Sequence, residues 1–402
     1  MEFYSLPQEV EYIISSLNMH GYRADVVGGP VRDFLLSKLP IDYDITTSAF
    51  PAQIKEVFRD YRTVDTGIKH GTVTVVINGH NYEITTYRID GEYRDSRHPE
   101  EVFFTEDIET DLARRDFTMN AIAYNHKDGI TDPFFGRRDI ENKLIRAVGD
   151  PERRFTEDAL RILRAIRFAA VLGFEIEKET AKAIINKKHL LADISAERIW
   201  CEWKKLLAGE WAYGVIVEYL PVIAEFLPEL SELSMPSRAL FDRADYMTRF
   251  LSVFYLSTGG GRDKFEAVSR RLRTDAKTRT LGGEALSSVS CFNLSDPRDL
   301  ARAMNRLDIP AVRQLVGVEI ALGNYSPDVE KDIESFLESP PPYRISDLEI
   351  GGNDLISLGI YGKDVGDTLN ELLLLVIDGE CENEREALLS KALELSRNKK
   401  IK

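Results

Sequence analysis

All strand-like stretches of this chain fall before about residue 150, and the spacing of apolar residues beyond that point is helical. This split constrains the fold more than any other feature. It predicts an α+β protein, a head with a mixed β-sheet followed by an all-helical remainder. In the head, residues 8–19 carry apolar side chains at helical spacing (Val10, Ile13, Ile14, Leu17). Residues 22–27 and 42–47 read as strands, and residues 30–37 and 52–58 as short helices. Residues 72–77 and 82–87 are β-branched runs joined around Asn78-Gly79, a hairpin signal. Residues 89–104, with Gly91 and Pro99, read as an exposed loop; residues 121–124 and 130–131 form a second hairpin around Lys127-Asp128-Gly129. Helical patterns follow at residues 158–172, 178–186, 196–207 and 214–219. Gly259-Gly260-Gly261 and Pro340-Pro341-Pro342 mark loops or unit boundaries.

The length of 402 residues exceeds what one core holds, and roughly 2–4 structural units are expected. The longest apolar run, residues 372–377, is too short to cross a bilayer. The N-terminus has no basic region followed by an apolar segment, so no signal peptide is expected. Cys201, Cys291 and Cys381 lie far apart and form no disulfide or zinc pattern; a cytoplasmic location fits them. The net charge of −15 argues mildly against nucleic-acid binding, yet phosphates respond to local fields. The stretch 153–167 and the tail 397–402 are the basic candidates, the tail being equally readable as a solvated end.

The strongest local signal is Gly28-Gly29-Pro30-Val31-Arg32-Asp33 followed by Asp42-Tyr43-Asp44. Two glycines after a strand let a backbone approach a bulky anion, and a helix starting at Pro30 points its free N–H groups at it. Asp42 and Asp44 at i and i+2 of a strand would project from one face, roughly 6.6 Å apart. Oxygen ligands of that kind suit Mg²⁺, which takes one or two carboxylates plus substrate phosphates. Either element alone is weak, since most Asp-x-Asp pairs are solvated turns; together they point to nucleotidyl transfer. Glu83, on the following hairpin strand, is a third carboxylate that could bind metal or accept a proton, or else a plain exposed strand residue.

Two further signals follow. In Arg114-Arg115-Asp116-Phe117-Thr118-Met119-Asn120-Ala121, adjacent arginines can fork onto triphosphate oxygens, and Asp116 and Asn120 can hydrogen-bond a ribose. The bland alternative is a helix end laced with ion pairs. In Glu157-Asp158-Ala159-Leu160-Arg161, continued by Arg164 and Arg167, Asp158 and Arg161 would share a helix face. A carboxylate accepts from an exocyclic amino group and a guanidinium donates to a ring acceptor. Cytosine and adenine match that order, whereas uracil and guanine leave polar groups unpaired. A surface ion pair is the alternative there.

In this order and spacing the three signals resemble motifs A, B and D of the class II tRNA nucleotidyltransferases. These belong to the DNA polymerase beta superfamily, which also holds bacterial poly(A) polymerases. The similarity covers about residues 20–205. It takes in Asp128-Gly129 and Asp132-Pro133 (motif C) and Ser195-Ala196-Glu197-Arg198-Ile199 (motif E). Residues 353–379 are similar to the family's tail, from which Gly351-Gly352 departs. The resemblance implies that Asp42 and Asp44 hold the catalytic Mg²⁺ ions. Arg114, Asp116 and Asn120 would contact triphosphate or ribose, with Gly28, Gly29, Arg32 and Arg164 counted among the nucleotide-binding side chains. Glu157, Asp158 and Arg161 would form the protein template that reads the base. The implied organisation is a catalytic head over 1–150, a templating neck over 151–207, a body over 208–330 and a tRNA-binding tail over 331–402. tRNA, CTP and ATP are the implied partners, with no membrane and no protein partner.

Within that family some members add CCA, some CC only and some A only. Residues 90–99 resemble the flexible loop that CC-only members lack, which leaves CCA and A-only addition open. The short basic tail places poly(A) polymerase lower. None of the six histidines is followed by Asp, so no appended phosphohydrolase metal site is expected. A non-catalytic tRNA-binding protein would have no use for paired aspartates near phosphates, and a small-molecule nucleotidyltransferase would not need so long a helical remainder.

Overall fold

Val10, Ile13, Ile14 and Leu17 recur at helical spacing and are all buried, which makes Gln8–Met19 (α1) a helix lying against the sheet by one face. Glu9 and Glu11 in its first turn complement the helix dipole, and Gly21 ends it at φ 87°. The computed structural model describes residues 6–90 and 102–400, divided into two units, Met1–Ser231 and Glu232–Lys402.

The first unit is built on a seven-stranded mixed sheet. Its strands are Ala24–Val27 (β1), Ile45–Thr47 (β2), Arg62–Gly67 (β3), Thr72–Ile77 (β4), His80–Thr86 (β5) and, later in the chain, Ala123–Asn125, which stands next to β1, and Gly129–Thr131, which pairs with Ala123–Asn125 at the sheet edge. The spatial order from one edge is β3-β4-β5-β2-β1, then the two late strands. β2 runs antiparallel to β1 and parallel to β5. The β4–β5 hairpin turns through Asn78 and Gly79 at φ 52° and 81°, the left-handed pair that a tight hairpin requires. Val73, Val75 and Ile77 alternate into the core with Ile45 and Ile84, each side chain contributing about 1.5–3 kcal/mol by burial.

Three expectations change here. Residues 42–44 are not strand: pairing with β5 begins at Ile45 opposite Ile84, and residues 41 and 42 form a bend. The expected loop at 89–104 contains an antiparallel ribbon, Arg88–Asp90 against Val102–Phe104; three-residue strands carry too little alternation to be read. The long helix expected from 158 starts later, because Asp158 is extended. Pro151–Glu157 and Leu160–Leu172 are therefore separate helices. A parallel pair, Leu144–Ile145 with Glu175–Ile176, also places a short strand within the helical part.

The second unit is helical among its described residues, from Arg238–Arg243 to Arg385–Lys400. Tyr246–Thr258 stops at Gly259-Gly260-Gly261, whose φ values of 75°, 69° and 102° no ordinary residue adopts readily. Phe241, Phe250, Phe254 and Phe265 are fully buried there, the last three in tilted or edge contacts at 5.5–6.2 Å. A further core gathers Leu355, Leu369, Leu372, Leu373, Ile377 and Leu388. No helix among the described residues is long and apolar enough to cross a membrane. All three cysteines are free.

Candidate active site

β1 delivers the chain to Gly28, which sits at φ 78°, ψ −124° with its N–H on the Ile122 carbonyl at 3.0 Å. An added Cβ would lie 3.1 Å from Nη1 of Arg115 and 3.5 Å from the Asn120 carbonyl, so conformation and space both call for glycine. Gly29 opens the helix Gly29–Leu35, with Pro30 in its first turn. One residue before Gly28, the Val27 N–H donates to the Asp44 carbonyl at 3.0 Å. This single backbone bond, one step beyond the β1–β2 ladder, brings the glycine turn and the paired aspartates together.

Asp42 and Asp44 are exposed and line one cleft of about 520 Å³ with Pro7, Ile41, Tyr82 and Glu83. Ile45 and Ile84 are paired and buried, so Asp44 and Glu83, each one residue earlier, turn to the other face of the sheet. Desolvation raises the Asp44 pKa; Arg115 opposes this and the Asp42 carboxylate adds to it. Among the described residues no three His, Cys, Asp or Glu side chains gather closely enough to hold a metal ion, so Glu83 lines the cleft without forming a three-carboxylate cage. Two neighbouring carboxylates open to solvent fit the donor set that Mg²⁺ prefers, with phosphate oxygens completing it.

Behind the cleft lies a chain of charged contacts. Arg32 donates to Asp33 at 2.7 and 2.9 Å and to the Asn120 side-chain carbonyl at 2.8 Å. The Asn120 amide donates to Asp116 at 3.1 Å, and Asp116 also accepts the Phe117 N–H at 2.8 Å and pairs with Arg164 at 2.6 Å. Burial would raise the Asp116 pKa, but Arg164 and Asn120 hold it down, to about 2. Both Asp116 oxygens are thus engaged within the protein, where they orient Asn120 and Arg164. Arg32, Arg164 and Arg167 all stand over the Phe168 ring, Arg167 at 3.6 Å. Arg114 pairs with the buried Asp111 at 2.9 Å. It is Arg115, which the sequence does not distinguish from its neighbour, that reaches the Gly28 turn.

The expected base-reading pair is arranged differently. Asp158, at φ −143°, ψ 102°, breaks the helix, so it does not share a helical face with Arg161. Its carboxylate caps the Leu160 N–H at 3.1 Å and pairs with Arg198 at 3.0 Å. Arg161 is buried, with Nη2 on the Arg114 carbonyl at 2.8 Å and Nη1 on Glu157 at 3.2 Å. Glu157 also takes Arg153 at 3.0 Å and Arg154 at 2.7 Å. Arg198, which lies in the Ser195–Ile199 motif, is a partner that sequence reasoning misses at this point; its Nη1 is buried without a hydrogen-bond partner among the described residues. The basic stretch 153–167 is not a free cationic face. Its arginines pair with Glu157, Asp116 and Glu202. The expected loop at 90–99 lies, beyond Asp90, outside the described residues, as does the end of the basic tail.

Residues 24–146 match the family described as Poly A polymerase head domain, and residues 173–218 the one described as Probable RNA and SrmB-binding site of polymerase A. The chain is 38% identical to the CCA-adding enzyme of Geobacillus thermodenitrificans, over 97% of each chain. It is 37% identical to that of Anoxybacillus flavithermus, over 94% of each. Its fold is similar to the crystal structure of Bacillus stearothermophilus CCA-adding enzyme in complex with CTP, with a TM-score of 0.81 and 32% identity over 98% of each chain.

Proposed function

The chain belongs to the family of CCA-adding enzymes, and from that premise we propose how its own residues carry the reaction. The protein adds nucleotides from CTP and ATP to the 3′ end of tRNA, building or repairing the CCA terminus by in-line attack of the 3′-hydroxyl on the α-phosphate. Pyrophosphate leaves. The observation that supports this most is the Val27–Asp44 backbone bond, which joins the residue before the Gly28-Gly29 turn to one of the two aspartates.

The family is metal-dependent. We assign the ions to Mg²⁺ held by Asp42 and Asp44, where they supply charge neutralisation at the phosphate and a lower pKa for the attacking hydroxyl. The Gly28-Gly29 turn cradles the triphosphate. We read Arg114, whose Nε and Nη2 are on Asp111, as a triphosphate contact beside that turn, with Arg32 and Asn120 held in place by Asp33, Asp116 and Arg164. Glu83, on the same cleft, takes up the hydroxyl proton. Asp158 and Arg161 read the incoming base, Asp158 set by Arg198 and Arg161 by Glu157 and the Arg114 carbonyl. A head over 1–150 and neck over 151–207 in the first unit, then a body over 208–330 and tail over 331–402 that hold the tRNA, is the division we infer. Residues 208–231 belong to the first unit by contact. A cytoplasmic site of action is part of this reading.

The deciding experiment uses full-length protein, CTP, ATP and three primers: tRNA ending at the discriminator base, at C and at CC. All three are expected to reach CCA; extension of the last alone gives A-only addition, and extension of none rejects the reading.

A further inference from the structure

Arg115 lies against Gly28, next to the residue whose N–H holds the Asp44 carbonyl, and the ion pair it makes is with another acid. Asp111 lies on the helix Ile108–Ala113, with Ile108 and Leu112 in the core and Asp107 capping the first turn. Its side chain is fully buried and accepts from Arg114 at 2.9 and 3.0 Å, from Nη2 of Arg115 at 3.4 Å and from the Arg88 N–H at 3.2 Å. A carboxylate so enclosed stays ionised only because guanidinium groups surround it. The other end of the Arg115 guanidinium, Nη1, lies against the bare face of Gly28, and its Nε is buried with no hydrogen-bond partner among the described residues. The Asp44 backbone is bonded to the residue before Gly28, so this guanidinium is poised between two acids, anchored to Asp111 and within the field of Asp44.

We propose that Asp111 is a positioning residue that keeps Arg115 from pairing with Asp44, leaving that carboxylate open to a divalent cation. The proposal rests on the reading of Asp42 and Asp44 as metal ligands. Nothing in the reaction requires Asp111 to touch substrate. Its effect runs through where one cation is held, because a guanidinium closed on Asp44 would occupy the oxygens a metal needs.

The test is direct binding of Mn²⁺ to the full-length protein without nucleotide, followed by the loss of the free-ion paramagnetic resonance signal, with circular dichroism as the check of folding. Asp111→Asn is expected to weaken Mn²⁺ binding at least about tenfold, more than one screened charge does through the field alone. Arg115→Gln is expected to bind within about threefold of wild type, and the double variant to return to the Arg115→Gln value, since the guanidinium that lies against Gly28 is then gone. A purely field effect predicts the reverse asymmetry, the nearer charge mattering more. A folded Asp111→Asn with wild-type Mn²⁺ affinity overturns the proposal, and so does a tenfold gain in Arg115→Gln. If Asp111→Asn fails to fold, Asp111→Glu decides: a folded Asp111→Glu that weakens Mn²⁺ binding and is restored by adding Arg115→Gln upholds the proposal, and one with wild-type affinity overturns it. An Asp44→Asn control that binds Mn²⁺ as wild type does shows instead that the metal assignment is wrong.

Discussion

Asp44 carries opposite demands. Its position in the cleft raises its pKa, so ionising it opposes folding, a cost present in full above the folded pKa and absent below the unfolded one. Replacing it by a neutral isostere should therefore not destabilise the protein. Asp44→Asn is expected to keep the wild-type melting temperature or exceed it, and in both Asp44→Asn and Asp42→Asn incorporation of labelled CTP is expected to fall by about 100-fold or more. Substantial activity in both variants removes them from the chemistry. The type of side chain and its spacing from Gly28 could be read in the sequence at this scale. Which of two adjacent arginines turns towards Gly28 could not, because Arg114 and Arg115 differ only in what surrounds them.

At the scale of elements, the break between Pro151–Glu157 and Leu160–Leu172 matters more than either helix. It frees Asp158 from the helical face and lets Arg198 take it from a third helix, Ala196–Leu207. Arg161 remains on Leu160–Leu172 but is tied back to the Arg114 carbonyl. Arg161→Ala is expected to relax the preference for CTP over UTP by about 10-fold or more and to cost about 1–3 kcal/mol of stability, since it leaves that carbonyl and Glu157 less satisfied. The ratio of kcat/KM for the two nucleotides, with a melting curve, checks both. Unchanged discrimination places base reading elsewhere. The expected helix begins too early, at residue 158, because the buried Ala159 continues the apolar spacing of Leu160, Leu163 and Ile166; the extended backbone at one residue leaves no periodic trace.

Across the whole molecule the net charge is −15, and the most basic stretch is neutralised from within by Glu157, Asp116 and Glu202. A tRNA ligand must then be held by cationic side chains elsewhere, whose number appears as salt dependence. The logarithm of the tRNA association constant is expected to fall linearly with the logarithm of salt concentration, with a slope of about −2 or steeper. A filter-binding series over salt measures it; a flat response rejects tRNA as the ligand.

The sequence by itself determined the order of the parts: a sheet-bearing head, a glycine turn, two aspartates, an arginine pair and a helical remainder. Periodicity and turn chemistry are local, and each is written within a few residues of where it acts. The hairpin at Asn78-Gly79 and the helix at Gln8–Met19 are legible for that reason. Only the tertiary structure decided that Asp44 stands beside Gly28, that Asp158 answers to Arg198 rather than Arg161, and that the arginines of 153–167 are paired with Glu157, Asp116 and Glu202. Those facts depend on which buried charges meet across long stretches of chain, and a charge left unpaired in the interior costs more than any local preference can specify.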